Sequence, residues 1–252
     1  MRAKKSLGQN FLKSEMALKK IIEVGEIKPE DVILEIGPGK GALTEKLLAN
    51  AKKVLAVEKD RELFEFLKEK FSEQIKSGSL VLVHGDILQL RIANYELKKY
   101  KIIANIPYNI TGAILKKFLT EKSQPERMVL MVQHEVAKRI IASDGKESIL
   151  SISVKAYGEP KMILKVPARY FFPAPKIDSA VIAINNISRK NFTESDINEE
   201  KFWEIVKNGF AHKRKKLSSN LKDICQRDSL TYLGNKRAED LKLEDWISLA
   251  EK

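Results

Sequence analysis

Apolar runs and helical periodicities alternate along the first half of the chain. Continuous apolar stretches occur at 31–37 (DVILEIG), 53–60 (KVLAVEKD), 79–86 (SLVLVHGD), 101–107 (KIIANIP) and 127–133 (RMVLMVQ). Their length and β-branched content predict strands. Apolar residues spaced three or four apart predict helices at 41–50, 61–71, about 110–120 and through EVAKRIIAS. Ahead of them, Met16, Leu18, Ile21, Ile22 and Val24 share one face of a helix that Ser14 would cap. Strands alternating with helices predict a parallel, doubly wound α/β sheet. Because the strand runs are continuous rather than alternating, both faces of the sheet should be covered.

After residue 145 the pattern changes. SILSISVKAYG (148–158) reads as helix, and MILKVP (162–167) and DSAVIAI (178–184) read as a last strand pair joined by ARYFFPAPKI. Beyond Ile187 every periodic segment is helical; Phe202, Ile205, Val206 and Phe210 line one face. The polar, turn-rich NNISRKNFTESD predicts a boundary, giving an α/β domain at 1–187 and a small helical domain at 188–252.

Composition narrows the function classes. A net charge of +12 over 252 residues favours a polyanionic partner, with nucleic acid ahead of membrane. No apolar run reaches the roughly 18 residues a membrane span needs. The single cysteine, Cys225, excludes an internal disulfide and fits a reducing cytoplasmic setting. His84, His134 and His212 are too scattered for a structural zinc site, so no metal is expected.

Candidate chemistry gathers at the strand ends. EIGPGKG sets Gly37, Gly39 and Gly41 directly after the first strand, where a backbone free of Cβ atoms turns tightly around a ligand. Glu58 closes the second strand, placed to accept from two ribose hydroxyls, and Asp86 closes the third, placed to meet an adenine amine. These features describe an adenosine pocket. The G-x-G-x-G spacing departs from the dinucleotide G-x-G-x-x-G. Lys40 is available to an anion, but Glu35 would repel a pyrophosphate and receive a cationic ligand. That points to S-adenosylmethionine.

The fourth strand ends in Asn105-Ile106-Pro107-Tyr108. An amino group conjugated to an aromatic ring is a poor nucleophile, because its lone pair is delocalised. The Asn105 side-chain oxygen and the Ile106 carbonyl can accept its two N–H bonds and so favour a pyramidal nitrogen. Pro107 stiffens the corner, and Tyr108 offers a flat face for a base. Catalysis would then rest on orientation, with water taking the proton.

The ordered motifs resemble the ribosomal RNA adenine N6,N6-dimethyltransferases of the KsgA type. KKSLGQNFL (4–12) is similar to that family's N-terminal cofactor-covering motif. EIGPGKGALT, VEKD, HGDIL and NIPYNIT follow in its order, and FFPAPKIDSAV (171–181) is similar to its F-x-P-x-P-[KR]-[VI]-x-S loop. FAHKRKKLSSNLK (210–222) is similar to its basic C-terminal segment. The resemblance implies a Rossmann-like class I methyltransferase that dimethylates two adjacent adenines in a hairpin near the 3′ end of small-subunit rRNA. It implies cofactor contacts from Gln9, Asn10, Leu12, Gly37, Gly39, Glu58, Asp86, Ile87 and Asn105. It implies Phe171 facing the base opposite Tyr108, with Phe172 the neighbouring alternative. Lys213, Arg214, Lys215 and Lys216 would meet RNA phosphates, as would Arg2, Lys4 and Lys5. The expected partner is an immature 30S-type particle, bound by a monomer. Three alternatives stay open: a large-subunit adenine methyltransferase of the antibiotic-resistance type, a non-catalytic assembly factor, and a nicotinamide dehydrogenase, the last disfavoured by glycine spacing.

Overall fold

The structure, a computed structural model, describes residues 3–4, 7–95, 97–225, 230 and 232–251. In chain order it runs β1 (Phe11–Leu12), α1 (Glu15–Gly25), β2 (Val32–Ile36), α2 (Ala42–Leu48), β3 (Lys53–Glu58), α3 (Arg61–Lys70), α4 (Ser72–Ser77), β4 (Leu80–His84), β5 (Lys101–Asn105) and α5 (Thr111–Thr120). It continues β6 (Arg127–Gln133), α6 (His134–Ile141), α7 (Ile149–Lys155), β7 (Glu159–Val166), β8 (Phe171–Phe172), β9 (Ser179–Asn185), α8 (Lys190–Thr193), α9 (Glu199–Gly209), α10 (Leu217–Asn220) and α11 (Leu243–Ala250). Two compact units form. One comprises Met1–Ala137 with Lys161–Ile187, the other Lys138–Pro160 with Ser188–Lys252.

The first unit is built on a seven-stranded sheet in the order β4-β3-β2-β5-β6-β9-β7. The pairs β3–β4, β2–β3, β2–β5 and β5–β6 are parallel, whereas β9 runs antiparallel to β6. The continuous apolar runs are explained by burial: Ile33, Leu34, Val54, Leu55, Ala56, Ile102, Ile103 and Val129 are all at most 1 % exposed. Each of these buried Val, Leu and Ile side chains contributes roughly 1.5–3 kcal/mol. Ser14 caps α1 as the sequence predicts, its Oγ accepting from the Ala17 amide at 3.2 Å. A second, two-stranded sheet joins β1 to β8, with Phe11 opposite Phe172 and Leu12 opposite Phe171.

The second unit is organised around α9. Phe202, Ile205 and Val206 are buried. The Trp246 ring of α11 stacks 5.4 Å from Phe210, and a Cβ at Gly209 would lie 2.4 Å from Trp246, so only glycine allows this approach. Tyr157, just after α7, receives the Trp203 indole N–H at 3.0 Å and donates its hydroxyl to Glu199. These bonds tie the 138–160 segment to the C-terminal helices.

Candidate active site

The order of strands fixes where a ligand can sit. From β2 the chain proceeds outward through β3 and β4, and from β5 it proceeds the other way through β6. The connections leaving β2 and β5 therefore diverge, which opens a crevice beyond their carboxyl ends. A cavity of about 330 Å³ lies there. All nine residues expected to contact the cofactor line it.

The glycine turn forms one wall. The Gly37 amide donates to Val57 O at 2.9 Å and the Gly41 amide to Pro38 O at 2.9 Å. Gly39 has φ 61°, and a Cβ there would lie 3.0 Å from the Phe11 ring. Gly41 has φ 81°, and a Cβ would meet Phe71 at 2.6 Å. Both positions need the left-handed region and have no room for a side chain.

Two carboxyls are buried beside this turn. Glu58 is 5 % exposed, with Oε2 accepting the Gly39 amide at 3.1 Å and Oε1 the Asp60 amide at 2.8 Å. Burial pushes its carboxyl above the ordinary range. Glu35, 1 % exposed, accepts the Thr44 hydroxyl at 2.7 Å. Burial, opposed by that bond and reinforced by the nearby Glu58 charge, raises Glu35 to about 8. Among the described residues neither carboxyl has an ion-pair partner. The wall therefore suits a ligand that brings its own positive charge. A sulfonium and an ammonium on an adenosine meet that requirement, so these residues fit S-adenosylmethionine. Asp86 is differently placed: Oδ1 caps the Leu88 amide at 2.9 Å and Oδ2 pairs with Lys59 at 2.8 Å, which lowers its pKa.

The N-terminal segment straps across the cavity. Gln9 donates to Asp60 Oδ2 at 2.8 Å and accepts the Lys4 amide at 2.7 Å, while the Lys4 ammonium sits 2.8 Å from Asp60 and 2.9 Å from Glu62. Lys4, expected at RNA, is thus held by carboxylates. Arg2 and Lys5 lie outside the described residues. Leu12 is buried beneath the strap.

The strap also bonds to the corner at 105–108. The Asn105 Nδ2 donates to the Asn10 carbonyl at 3.1 Å. That bond fixes which end of the amide is nitrogen and leaves Oδ1 as the acceptor, with no protein donor among the described residues. Tyr108 packs against the cluster containing Leu12 and Phe171, and its hydroxyl lies 2.5 Å from Ser179 Oγ. Burial, against the Ser179 hydrogen bond, pushes the phenol to about 12, so it stays neutral and is no general base.

The two phenylalanines of β8 are placed differently. Phe171 is 3 % exposed and lies in the core, outside the cavity lining, whereas Phe172 is 57 % exposed and lines it. Successive residues of a strand point to opposite sides, so the two rings of β8 are directed apart. The basic run lies apart from these residues in sequence. Lys213, Arg214, Lys215 and Lys216 are all exposed, but they form a turn between α9 and α10 rather than a helix. Sequence reasoning missed Ser179 and Asp60 as supports of the site. Both stand inside motifs of the chain, Ser179 in KIDSAV and Asp60 in VEKD.

A family model described as ribosomal RNA adenine dimethylase matches residues 1–252. A ribosomal RNA small subunit methyltransferase A from Dehalococcoides mccartyi (strain CBDB1) is 39 % identical over 261 residues, covering 99 % of this chain and 88 % of that protein. Among solved structures, a dimethyladenosine transferase from Plasmodium falciparum superposes with a TM-score of 0.80 at 27 % identity, covering 95 % of each chain. The 23S rRNA methyltransferase ErmE superposes with a TM-score of 0.77 at 26 % identity, covering 96 % of this chain and 98 % of its own.

Proposed function

Since the chain belongs to the ribosomal RNA adenine dimethylase family, whose model it matches from end to end, we propose that it methylates N6 of two adjacent adenines, twice each, in a hairpin loop near the 3′ end of small-subunit rRNA. It is an S-adenosylmethionine-dependent rRNA adenine dimethyltransferase. The cofactor supplies, when bound, an electrophilic methyl group on a sulfonium. The chain's own residues bind and orient. Glu58, anchored to the Gly39 and Asp60 amides, offers its remaining lone pairs to the ribose hydroxyls. Gly37, Gly39 and Ile87 form the adenosine walls, Asp86 sits at the adenine edge, and Gln9, Asn10 and Leu12 cover the site.

The observation that carries this reading is the Asn105–Asn10 hydrogen bond. With one Nδ2–H given to the Asn10 carbonyl, the amide's orientation is set and Oδ1 is left to accept. Together with the Ile106 carbonyl it takes both N6–H bonds of the target adenine, which turns the lone pair out of conjugation. Tyr108 holds the base by stacking, worth about 1–3 kcal/mol. The base leaves its own stack to reach this corner. The methylated nitrogen is acidic and gives its proton to water, consistent with a Tyr108 phenol that keeps its own.

The partner is the immature small subunit, engaged by a monomer in the cytoplasm, with Lys213, Arg214, Lys215 and Lys216 meeting phosphates. No helix among the described residues is long and apolar enough to cross a membrane. The large-subunit alternative draws on the ErmE likeness in shape, while the 39 % identical relative carries a small-subunit name. Mass spectrometry of rRNA after incubation with labelled cofactor separates them. Label on N6 of adjacent small-subunit adenines is expected. Label in large-subunit RNA, or tight binding without label, would replace this reading by the resistance-type enzyme or the assembly factor.

A further inference from the structure

Adenine carries N6 and its glycosidic nitrogen on opposite sides of the ring system. A base that points N6 at Asn105 therefore leaves its sugar and phosphates at the cavity mouth. Three lysines line that cavity: Lys13, Lys40 and Lys59. They are not equivalent. Lys59 is neutralised by Asp86 at 2.8 Å. Lys40 belongs to the glycine turn and lies 5.1 Å over the Phe11 ring, at the cofactor wall. Lys13 is exposed, with its ammonium 4.5 Å over the ring of Phe172. Among the described residues it has no carboxylate partner.

The backbone holds this pair in place. The Lys13 amide donates to Tyr170 O at 2.8 Å, directly after the two-residue ladder of β1 with β8. Leu12 and Phe171, next in sequence to Lys13 and Phe172, belong to the cluster against which Tyr108 packs. The Lys13–Phe172 pair lines the same cavity as Asn105 and Tyr108. A 57 % exposed phenylalanine is a poor surface residue on its own, and the lysine stem covers it. The ring in turn keeps the ammonium from sampling most of its rotamers, which lowers the entropy lost when an anion arrives.

We propose that Lys13, poised over Phe172, is a positioning residue that grips the phosphodiester of the target adenosine once its base has entered the cavity. The inference rests on the function proposed above. It concerns the flipped nucleotide itself, separate from the basic turn at 213–216.

The test uses the full-length protein, unmethylated small-subunit particles and labelled S-adenosylmethionine. Particle affinity is measured across salt concentrations without cofactor, and transfer is measured separately. Lys13→Gln should weaken particle binding about three- to fivefold, the upper end for an exposed charge pair. It should make the slope of log affinity against log salt shallower by about 0.7, one phosphate on a single strand. KM for the particle should rise by the same factor, with cofactor affinity and thermal midpoint unchanged. Lys13→Arg should restore the slope. Phe172→Leu should cost less in the Lys13→Gln background than alone, since the two act as a unit. If wild type transfers methyl groups while Lys13→Gln binds with wild-type affinity and slope, this inference falls and the function stands. A Lys13→Gln protein that loses cofactor affinity or thermal stability to the same degree would make the lysine merely structural, and overturn it. If wild type transfers no methyl group, the proposed function falls and takes the inference with it.

Discussion

Replacing Asn105 by aspartate separates having an acceptor from having an oriented one. The variant keeps the size of the side chain and gains acceptor capacity, so a simple count of acceptors predicts full activity. The structure predicts otherwise. The native Nδ2 donates to the Asn10 carbonyl at 3.1 Å, and aspartate would set an oxygen against that oxygen. The missing bond is worth about 0.5–1.5 kcal/mol, and the carbonyl left unpaired costs a further 1–3 kcal/mol if it stays dry. The carboxylate relieves the repulsion by rotating, which carries its acceptor off the N6–H direction. Misplacing one such group typically costs about 2.7–4 kcal/mol in the transition state, a factor of roughly 10²–10³. Asn105→Asp and Asn105→Ala should therefore fall by similar factors in single-turnover methyl transfer at saturating enzyme, with particle binding retained in both. Thermal midpoints should drop by only about 2–4 °C for each kcal/mol of stability removed. Wild-type single-turnover rates for Asn105→Asp would refute the orienting role of the Asn10 carbonyl.

Other consequences follow from the same cavity. Glu35 holds its proton to about pH 8 in the folded chain against an ordinary value of 4.5. Between those values the folded state binds the extra proton, so stability falls as pH rises, on the order of 1.4 kcal/mol per pH unit. Thermal unfolding of the cofactor-free protein should decline from pH 5 to 8 more steeply than that of Glu35→Gln; parallel profiles would contradict the buried, uncompensated carboxyl. Asp60→Ala removes the anchor of Lys4 and Gln9 and the cap on Glu62; limited proteolysis should cut residues 7–13 faster, and calorimetry should register weaker cofactor binding. Gly41→Ala meets both a positive φ and Phe71 at 2.6 Å, and should cost roughly 2–5 kcal/mol in denaturant unfolding, whereas Gly85→Ala, with nothing within 4 Å, should leave the midpoint in place. Exchanging Lys213, Arg214, Lys215 and Lys216 for glutamine should flatten the salt dependence of particle binding by about 0.7–0.9 for each phosphate no longer neutralised.

The parallel sheet was legible because buried strands must be continuously apolar, and the runs at 31–37, 53–60, 79–86, 101–107 and 127–133 mark strands that end at Ile36, Glu58, His84, Asn105 and Gln133, within one or two residues. The glycine turn was legible because its conformation excludes other residues. The β1–β8 ladder was not. It joins two residues to two others across more than 150 positions, and so short a pairing leaves no periodicity. That ladder sets how the two phenylalanines are placed, Phe171 buried and Phe172 exposed, which sequence spacing does not announce. Likewise Asn105 was recognisable as an amide at a strand end, but the Asn10 carbonyl that orients it carries no side-chain signature. Residues 138–160 read as ordinary connecting helix. Their association with the C-terminal helices rests on Tyr157, Trp203 and Glu199, interactions that sequence spacing does not announce.

The ladder between β1 and β8, with the Tyr108–Ser179 bond, also sets a timetable. Synthesis runs from N- to C-terminus, so residues 11 and 12 are made long before their partners Phe172 and Phe171. A nascent polypeptide halted before Phe171 possesses every parallel strand yet has nowhere to fasten residues 11 and 12. Such a product lacks both the latch for the strap and β9, the strand that stands between β6 and β7.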